Sequence, residues 1–342
     1  MKTISLKTAV ALCALALMVA WGSRSSALGL QGKDQTKSKQ ESASEGEQKA
    51  MAAIAAAPDA AAKLQAATDF IKKYPKSTLR AKVVGFVAQE ANKTTDNAQR
   101  ITQLENLLNV FKEPSDLDVI QPILIDAYAK AERLDDVFRV AASYLAKNAN
   151  DLAVLTQVSL IGIDQAKRNN AKFAAQSQQY GNKAVELIES GKKPEAFDDA
   201  KWSEYQTRWL PVLYQSLAMI SFVSGDKAGA RAKIDKALAL NGADPFSYVL
   251  LGTVVDDEYQ QLAQKHKMLS AGPMKDTVLQ QALAKMDEVV DIFAHAVALS
   301  EGNAAYQQLH DRVLQDLQTY YKYRHNDSIQ GLQQLIDKYK KQ

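Results

Sequence analysis

Apolar side chains recur at steps of three and four along most of the chain. Val278, Ala282, Met286, Val289, Phe293 and Val297 form one such stripe. Leu309, Val313, Leu317 and Tyr320 form the next, and Ile329, Leu332, Ile336 and Tyr339 the last. This period is the signature of a helix with one buried face. No stretch of clean apolar/polar alternation competes with it. The breaks carry turn chemistry. Tyr74, Pro75, Lys76 and Ser77 end one helix and offer Ser77 as the N-cap of the next. Residues 148–151, 191–194, 242–245 and 270–273 act as similar breaks, and the Ala-rich residues 49–67 read as helix. Helices joined by turns this short must pack as antiparallel neighbours.

Composition narrows the class further. Of 342 residues only 15 are Gly and 8 are Pro, and aromatics make up 7%. A sheet protein of this length needs more turn formers than that, so the chain is expected to be all-α.

Two windows repeat a common pattern. The first is Leu124, Ile125, Asp126, Ala127 and Tyr128, then residues 132–136, then Ala141, Tyr144 and Leu145. The second is Leu217 and Ala218, then Ser224, Gly225 and Asp226, then Ala230, Ile234, Ala237 and Leu238, followed by Pro245. Tyr248, Leu251 and Gly252 open a third unit in the same register. These windows resemble the tetratricopeptide repeat (TPR), a 34-residue helix pair with small residues where its helices cross. Ile125, Val137 and Tyr144 depart from it, since small residues are usual there. Phe70 with Tyr74, Pro75, Lys76 and Ser77 is similar to a unit end in exported bacterial TPR proteins. The resemblance implies antiparallel helix pairs stacked into a TPR-like right-handed superhelix, an α-solenoid. It assigns residues 49–300 to the repeat array and 301–342 to C-terminal capping helices, which such arrays require.

The N-terminal end reads differently. Lys2 and Lys7 precede an apolar run at residues 9–21, and Ser25, Ser26 and Ala27 supply small residues for cleavage. Thirteen apolar residues span about 20 Å as a helix, short of the ~30 Å bilayer core. Residues 1–27 are therefore expected to be a cleaved secretory signal peptide, leaving no transmembrane span. Residues 28–48, polar and charged, are expected to be a disordered tether. Cys13 is the one cysteine, and bulky Leu12 precedes it where a lipoprotein signal wants a small residue. Without it the chain has no thiol chemistry, which fits a bacterial envelope, periplasmic or secreted. The net charge of +3 comes entirely from Lys2, Lys7 and Arg24. The remainder is neutral and carries no global field that would gather nucleic acid or anionic lipid.

Chemistry-bearing motifs are missing. The phosphate-binding, dinucleotide-binding, zinc-protease and nucleophile-elbow patterns do not occur. The four histidines, His266, His295, His310 and His325, have no spacing that suggests a metal site. No catalytic residue, cofactor or metal is expected. Trp202, Tyr205 and Trp209 share one helix face and read as core. Tyr320, Tyr321, Tyr323 and Arg324 read as packing of the terminal helices.

The TPR register implies inner-face positions for Asp126 and Lys130, for Gln215, Met219 and Phe222, and for Asp256 and Asp257. It lacks the Lys/Asn set by which some TPR domains hold a peptide's C-terminal carboxylate. The expected function is a non-catalytic protein- or peptide-binding scaffold of the bacterial envelope, acting through the concave face of the array. An alternative is an accessory protein resembling the TPR lipoproteins that assemble outer-membrane β-barrels. A third reading, a helical hydrolase using paired carboxylates, finds no pair that stands out.

Overall fold

The computed structural model describes residues 43–168 and 170–340. The expected signal peptide, Cys13 and most of the expected tether lie outside these residues. Among the described residues there are fourteen α-helices and no strand. The helices are α1 (Glu45–Ala56), α2 (Ala60–Lys73), α3 (Arg80–Asn92), α4 (Asn97–Val110), α5 (Pro114–Lys130), α6 (Leu134–Leu145) and α7 (Leu152–Lys167). They continue with α8 (Ala174–Glu189), α9 (Asp199–Val223), α10 (Lys227–Leu240), α11 (Pro245–Met268), α12 (Pro273–Ser300), α13 (Gln307–Arg324) and α14 (Leu332–Lys340).

The chain divides into two compact units. Among the described residues, one holds 43–161 and 191–198, the other 162–168, 170–190 and 199–340. In the first, consecutive helices from α1 through α6 pack on one another, and α3 also packs on α5. In the second, α8 to α13 do the same, α9 also touches α11, and α14 returns to α12. Contacts confined to the next helix and the one after are the pattern of stacked helix hairpins, the α-solenoid arrangement. The helices expected to form a cap, α13 and α14, pack on α12 within the second unit.

The apolar stripes account for this packing. All six residues of the 278–297 stripe are at most 3% exposed, and Leu317 and Tyr320 are fully buried. Each large side chain so buried contributes about 1.5–3 kcal/mol. An exposed ion pair contributes at most about 1 kcal/mol, so the stripes decide which face turns inward.

Crossing points need small residues. A Cβ on Gly252 of α11 would lie 2.2 Å from Cε1 of Phe293 on α12, so the buried Phe293 ring fills the space a side chain would take there. Ala230 and Ala237 of α10 are fully buried. Gly225, at φ +85°, makes the turn between α9 and α10, and Asp226 then caps α10 by accepting from Gly229 N at 2.9 Å.

Several local expectations change. The Ala-rich stretch is two helices, because Pro58 ends α1 and Asp59 caps α2, accepting from Ala62 N at 2.8 Å. Residues 45–48, expected in the tether, are helical: Ser44 and Glu47 close a capping box at the start of α1. Ser77 is not the N-cap of α3. Leu79 is, and the Ser77 hydroxyl instead accepts from Leu79 N at 3.1 Å. Ile329 is 52% exposed, outside the last stripe, because α14 begins only after Gly331, whose φ of +89° turns the chain. Finally, α11 and α12 have 24 and 28 residues, more than a 34-residue unit holds, so the third register unit is a long hairpin.

Candidate functional site

The acidic run Asp256, Asp257 and Glu258 lies on α11, and helical geometry turns successive side chains about 100° apart. Each carboxylate therefore meets a different element. Asp256 points inward and is 4% exposed. It accepts a hydrogen bond from the Tyr320 hydroxyl on α13 and another from Gln260 Nε2 at 3.1 Å. Asp257 faces α10 and pairs with Lys227. Glu258 faces α12 and pairs with Lys285 at 2.7 Å.

The pairing continues across the surface. Lys285 also holds Glu288 at 2.8 Å, and Glu288 accepts from Arg231 of α10 at 2.8 Å. The result is an alternating network over α10, α11 and α12 rather than a field of one sign. Against burial, Lys285 and Arg231 hold the Glu288 carboxyl below its usual range.

Asp256 behaves differently, because no cation pairs with it among the described residues. Burial raises its pKa to about 6, with Asp257 and Asp316 adding to the rise, while the bonds from Tyr320 and Gln260 oppose it. The same burial, with the neighbouring Asp256 charge, pushes the Tyr320 hydroxyl far up. Tyr259 lies beside them, its ring edge-on to Tyr320 at 6.1 Å between centroids. Its hydroxyl is buried and has no hydrogen-bond partner among the described residues.

A second buried carboxylate sits at the N-terminal end of α11. Asp244 is its N-cap and accepts from Ser247 N at 2.8 Å, Ser247 Oγ at 3.0 Å and Gln215 Nε2 at 2.7 Å. Burial raises its pKa, and these bonds oppose the rise. Twelve residues of helix separate Asp244 from Asp256, about 18 Å of rise. Carboxyl pairs that cleave glycosidic bonds stand ~5–9.5 Å apart. A perturbed carboxylate can mark a catalytic site, but here each is closed beneath neutral donors.

The expected inner-face residues thus separate into two layers. Gln215 is 7% exposed and is spent on Asp244 and Ser247; Met219, at 3%, and Asp256 are interior as well. Phe222 is half-buried against the core of the second unit, and Asp257 remains partly exposed. Asp126 and Lys130 belong to the first unit, where they pair with each other at 2.6 Å. Gln157 Nε2 also reaches Asp126, at 3.4 Å.

The aromatic and histidine readings can be placed too. Trp202 stacks on Tyr205 at 6.2 Å and Tyr205 meets Trp209 at 6.2 Å; the first two are buried. His295 lies between Tyr248 and Tyr339, at 3.9 and 4.4 Å, and burial lowers its pKa. His310 Nδ1 is 3.2 Å from Ser300 Oγ, and Asp311 accepts from Gln307 instead. Arg324 is taken by Asp287 in a two-point contact of 2.6 and 2.8 Å. Among the described residues no cluster of His, Cys, Asp and Glu could hold a metal ion, and no helix is long and apolar enough to cross a membrane.

Sequence reasoning named Tyr320 and Asp256 but did not join them, because 64 residues separate them. It passed over Asp244, although an Asp before Pro245 with Ser247 three residues on is an N-cap signal. Lys227, Arg231 and Lys285 carried no signal, since their partners lie on other helices.

No family model matches this chain, and no curated protein does. A solved structure described as a tetratricopeptide repeat protein from Parabacteroides merdae ATCC 43184 is similar at a TM-score of 0.30 and 14% identity. The match covers 79% of this chain and 98% of that one. The fold description therefore rests on this chain's own helix pattern.

Proposed function

We propose that this chain is a non-catalytic scaffold of the bacterial cell envelope that binds another protein or a peptide. The observation that carries this reading is the packing pattern. Helices that touch only their near neighbours in sequence build a stack with a long lateral surface, and such surfaces recognise extended or folded partners. The perturbed carboxylates support the same view, because Asp244 and Asp256 are committed to fastening helices. Contact with a partner falls to the outer layer: Phe222 and Asp257 in one unit, Asp126 and Lys130 in the other. Gln215, Met219 and Asp256 act from beneath by fixing α9, α11 and α13.

Export through residues 1–27 would deliver the chain to the envelope, and its neutral remainder is suited to neither nucleic acid nor bulk polyanions. The test is affinity capture from the cell envelope with the wild-type chain and a Phe222→Ala, Asp257→Lys variant. A protein recovered in stoichiometric amount by the wild type and lost by the variant supports the proposal. Equal recovery by both removes this surface, and turnover of a small substrate by the purified chain removes the proposal.

A further inference from the structure

The α11–α12 hairpin runs on beyond the helices that flank it. Asp257 pairs with Lys227, the first residue of α10, and Asp287 with Arg324, the last residue of α13. Past those contacts α11 continues to Met268, and α12 starts fourteen residues before Asp287. Residues 264–277 contain not one buried side chain. They form a tip that the rest of the unit does not cover.

The tip is apolar where it is most exposed. Met268 and Met274 are 80% and 66% exposed, the two highest values among the large hydrophobic side chains. They flank a turn made by Leu269, Ser270, Ala271 and Gly272. The charges behind them are predominantly positive, three lysines against one acid. Lys265 and Lys267 are exposed, and Lys275 is half-exposed with its ammonium donating to Leu269 O at 3.0 Å. Asp276 is the one acid in residues 264–277. The surface network described above balances every acid with a base, and this tip does not.

We propose that the α11–α12 tip is a docking point for an anionic lipid surface. A convex tip cannot enclose a small ligand, and its methionines can be buried only in something that yields around them. A bilayer interface does so, and long unbranched methionine side chains adapt to it. The lysines lie where lipid phosphates would meet them, each strengthening binding by about fivefold near an anionic surface. The positive excess selects anionic over zwitterionic lipid, and raising the salt concentration weakens the attachment. This inference is independent of the partner-binding reading, which uses α5, α9 and the middle of α11.

The experiment uses the full chain with vesicles of phosphatidylcholine, with and without phosphatidylglycerol. Residues 9–21 are themselves apolar, so the readout must be local to the tip. Tryptic cleavage after Lys265 and Lys267, followed by mass spectrometry, provides it. The expected result is slower cleavage at both lysines with phosphatidylglycerol vesicles, by about tenfold or more for two lysines. Protection is expected to vanish with phosphatidylcholine alone, at high salt, and in a Met268→Ser, Met274→Ser variant whose circular dichroism matches the wild type. Cleavage indifferent to anionic vesicles, or equal protection in the variant, overturns the proposal. Protection by an acidic protein but not by anionic vesicles overturns it in favour of a protein partner.

Discussion

The hydroxyl of Tyr320 donates to the carboxylate of Asp256, joining α13 to α11 in the interior of the second unit, where no cation pairs with Asp256 among the described residues. The bond makes the folded unit sensitive to what that tyrosine carries. Removing the donor leaves a buried acceptor with only Gln260, at a cost of about 1–3 kcal/mol. Tyr320→Phe is expected to lower stability by that amount in urea unfolding. Tyr259→Phe is the matched control. Its hydroxyl is buried without a partner, so removing it is expected to be neutral or stabilising.

Protonation of Asp256 gives a pH dependence of definite sign. Its folded pKa, about 6, lies above its ordinary value of 3.8. The folded state therefore holds this proton more tightly than the unfolded state does. The associated stability is complete below pH 3.8 and is lost as pH rises through 6, by about 2–3 kcal/mol in total. Asp256→Asn removes the charge and keeps an oxygen that can accept from Tyr320. Relative to wild type, the variant is expected to gain stability between pH 4 and pH 7, measured by denaturant unfolding at both. The comparison cancels the opposite trend of His295, whose lowered pKa withdraws stability as pH falls through it.

Glycine is required where α11 crosses α12. A methyl group at residue 252 would meet the Phe293 ring at 2.2 Å, so Gly252→Ala forces that buried ring or the helix carrying it aside and is expected to cost about 1–3 kcal/mol. Gly85, inside α3, is the contrast. Its nearest neighbour would be Val119 Cγ1 at 3.9 Å, an ordinary contact. Gly85→Ala is expected to stabilise by about 0.5–1 kcal/mol through helix propensity alone. Thermal unfolding of the two variants separates packing from backbone entropy.

In the first unit, Arg80 of α3 grips Asp116 of α5 through two hydrogen bonds of 2.8 and 2.7 Å, and Asp116 is fully buried. The pair also raises the pKa of Arg80, chiefly through that bond. Arg80→Leu strands a buried carboxylate and is expected to cost about 3–5 kcal/mol. Adding Asp116→Asn should recover much of the loss, because the stranded charge is then gone. A double-mutant cycle in urea measures both.

The helices were readable because a single buried face imposes its period on the chain, and the 278–297 stripe keeps that period over six residues that are all buried. Gly225 and Asp226 announced their turn for a similarly local reason: positive φ and N-caps select particular residues. The site was less readable. Asp256, Asp257 and Glu258 look like one acidic patch in sequence, but a helix turns them toward three different partners. Whether a carboxylate ends beside Tyr320 or Lys227 is decided by contacts between residues tens of positions apart. Periodicity does not carry that information. Ser77 and Ile329 were misplaced for a smaller reason: each lies three positions before the first residue of the helix it was assigned to, and boundaries depend on which caps win.

The account assigns Asp256 to fastening helices from within and Asp257 to the surface that meets a partner. Its most direct test is the affinity of the captured envelope protein for Asp256→Asn and Asp257→Lys, measured side by side. The account predicts unchanged affinity for Asp256→Asn and a loss of about tenfold or more for Asp257→Lys, the equivalent of about 1.4 kcal/mol. Loss of binding or of a chemical activity on Asp256→Asn, with Asp257→Lys silent, would contradict it.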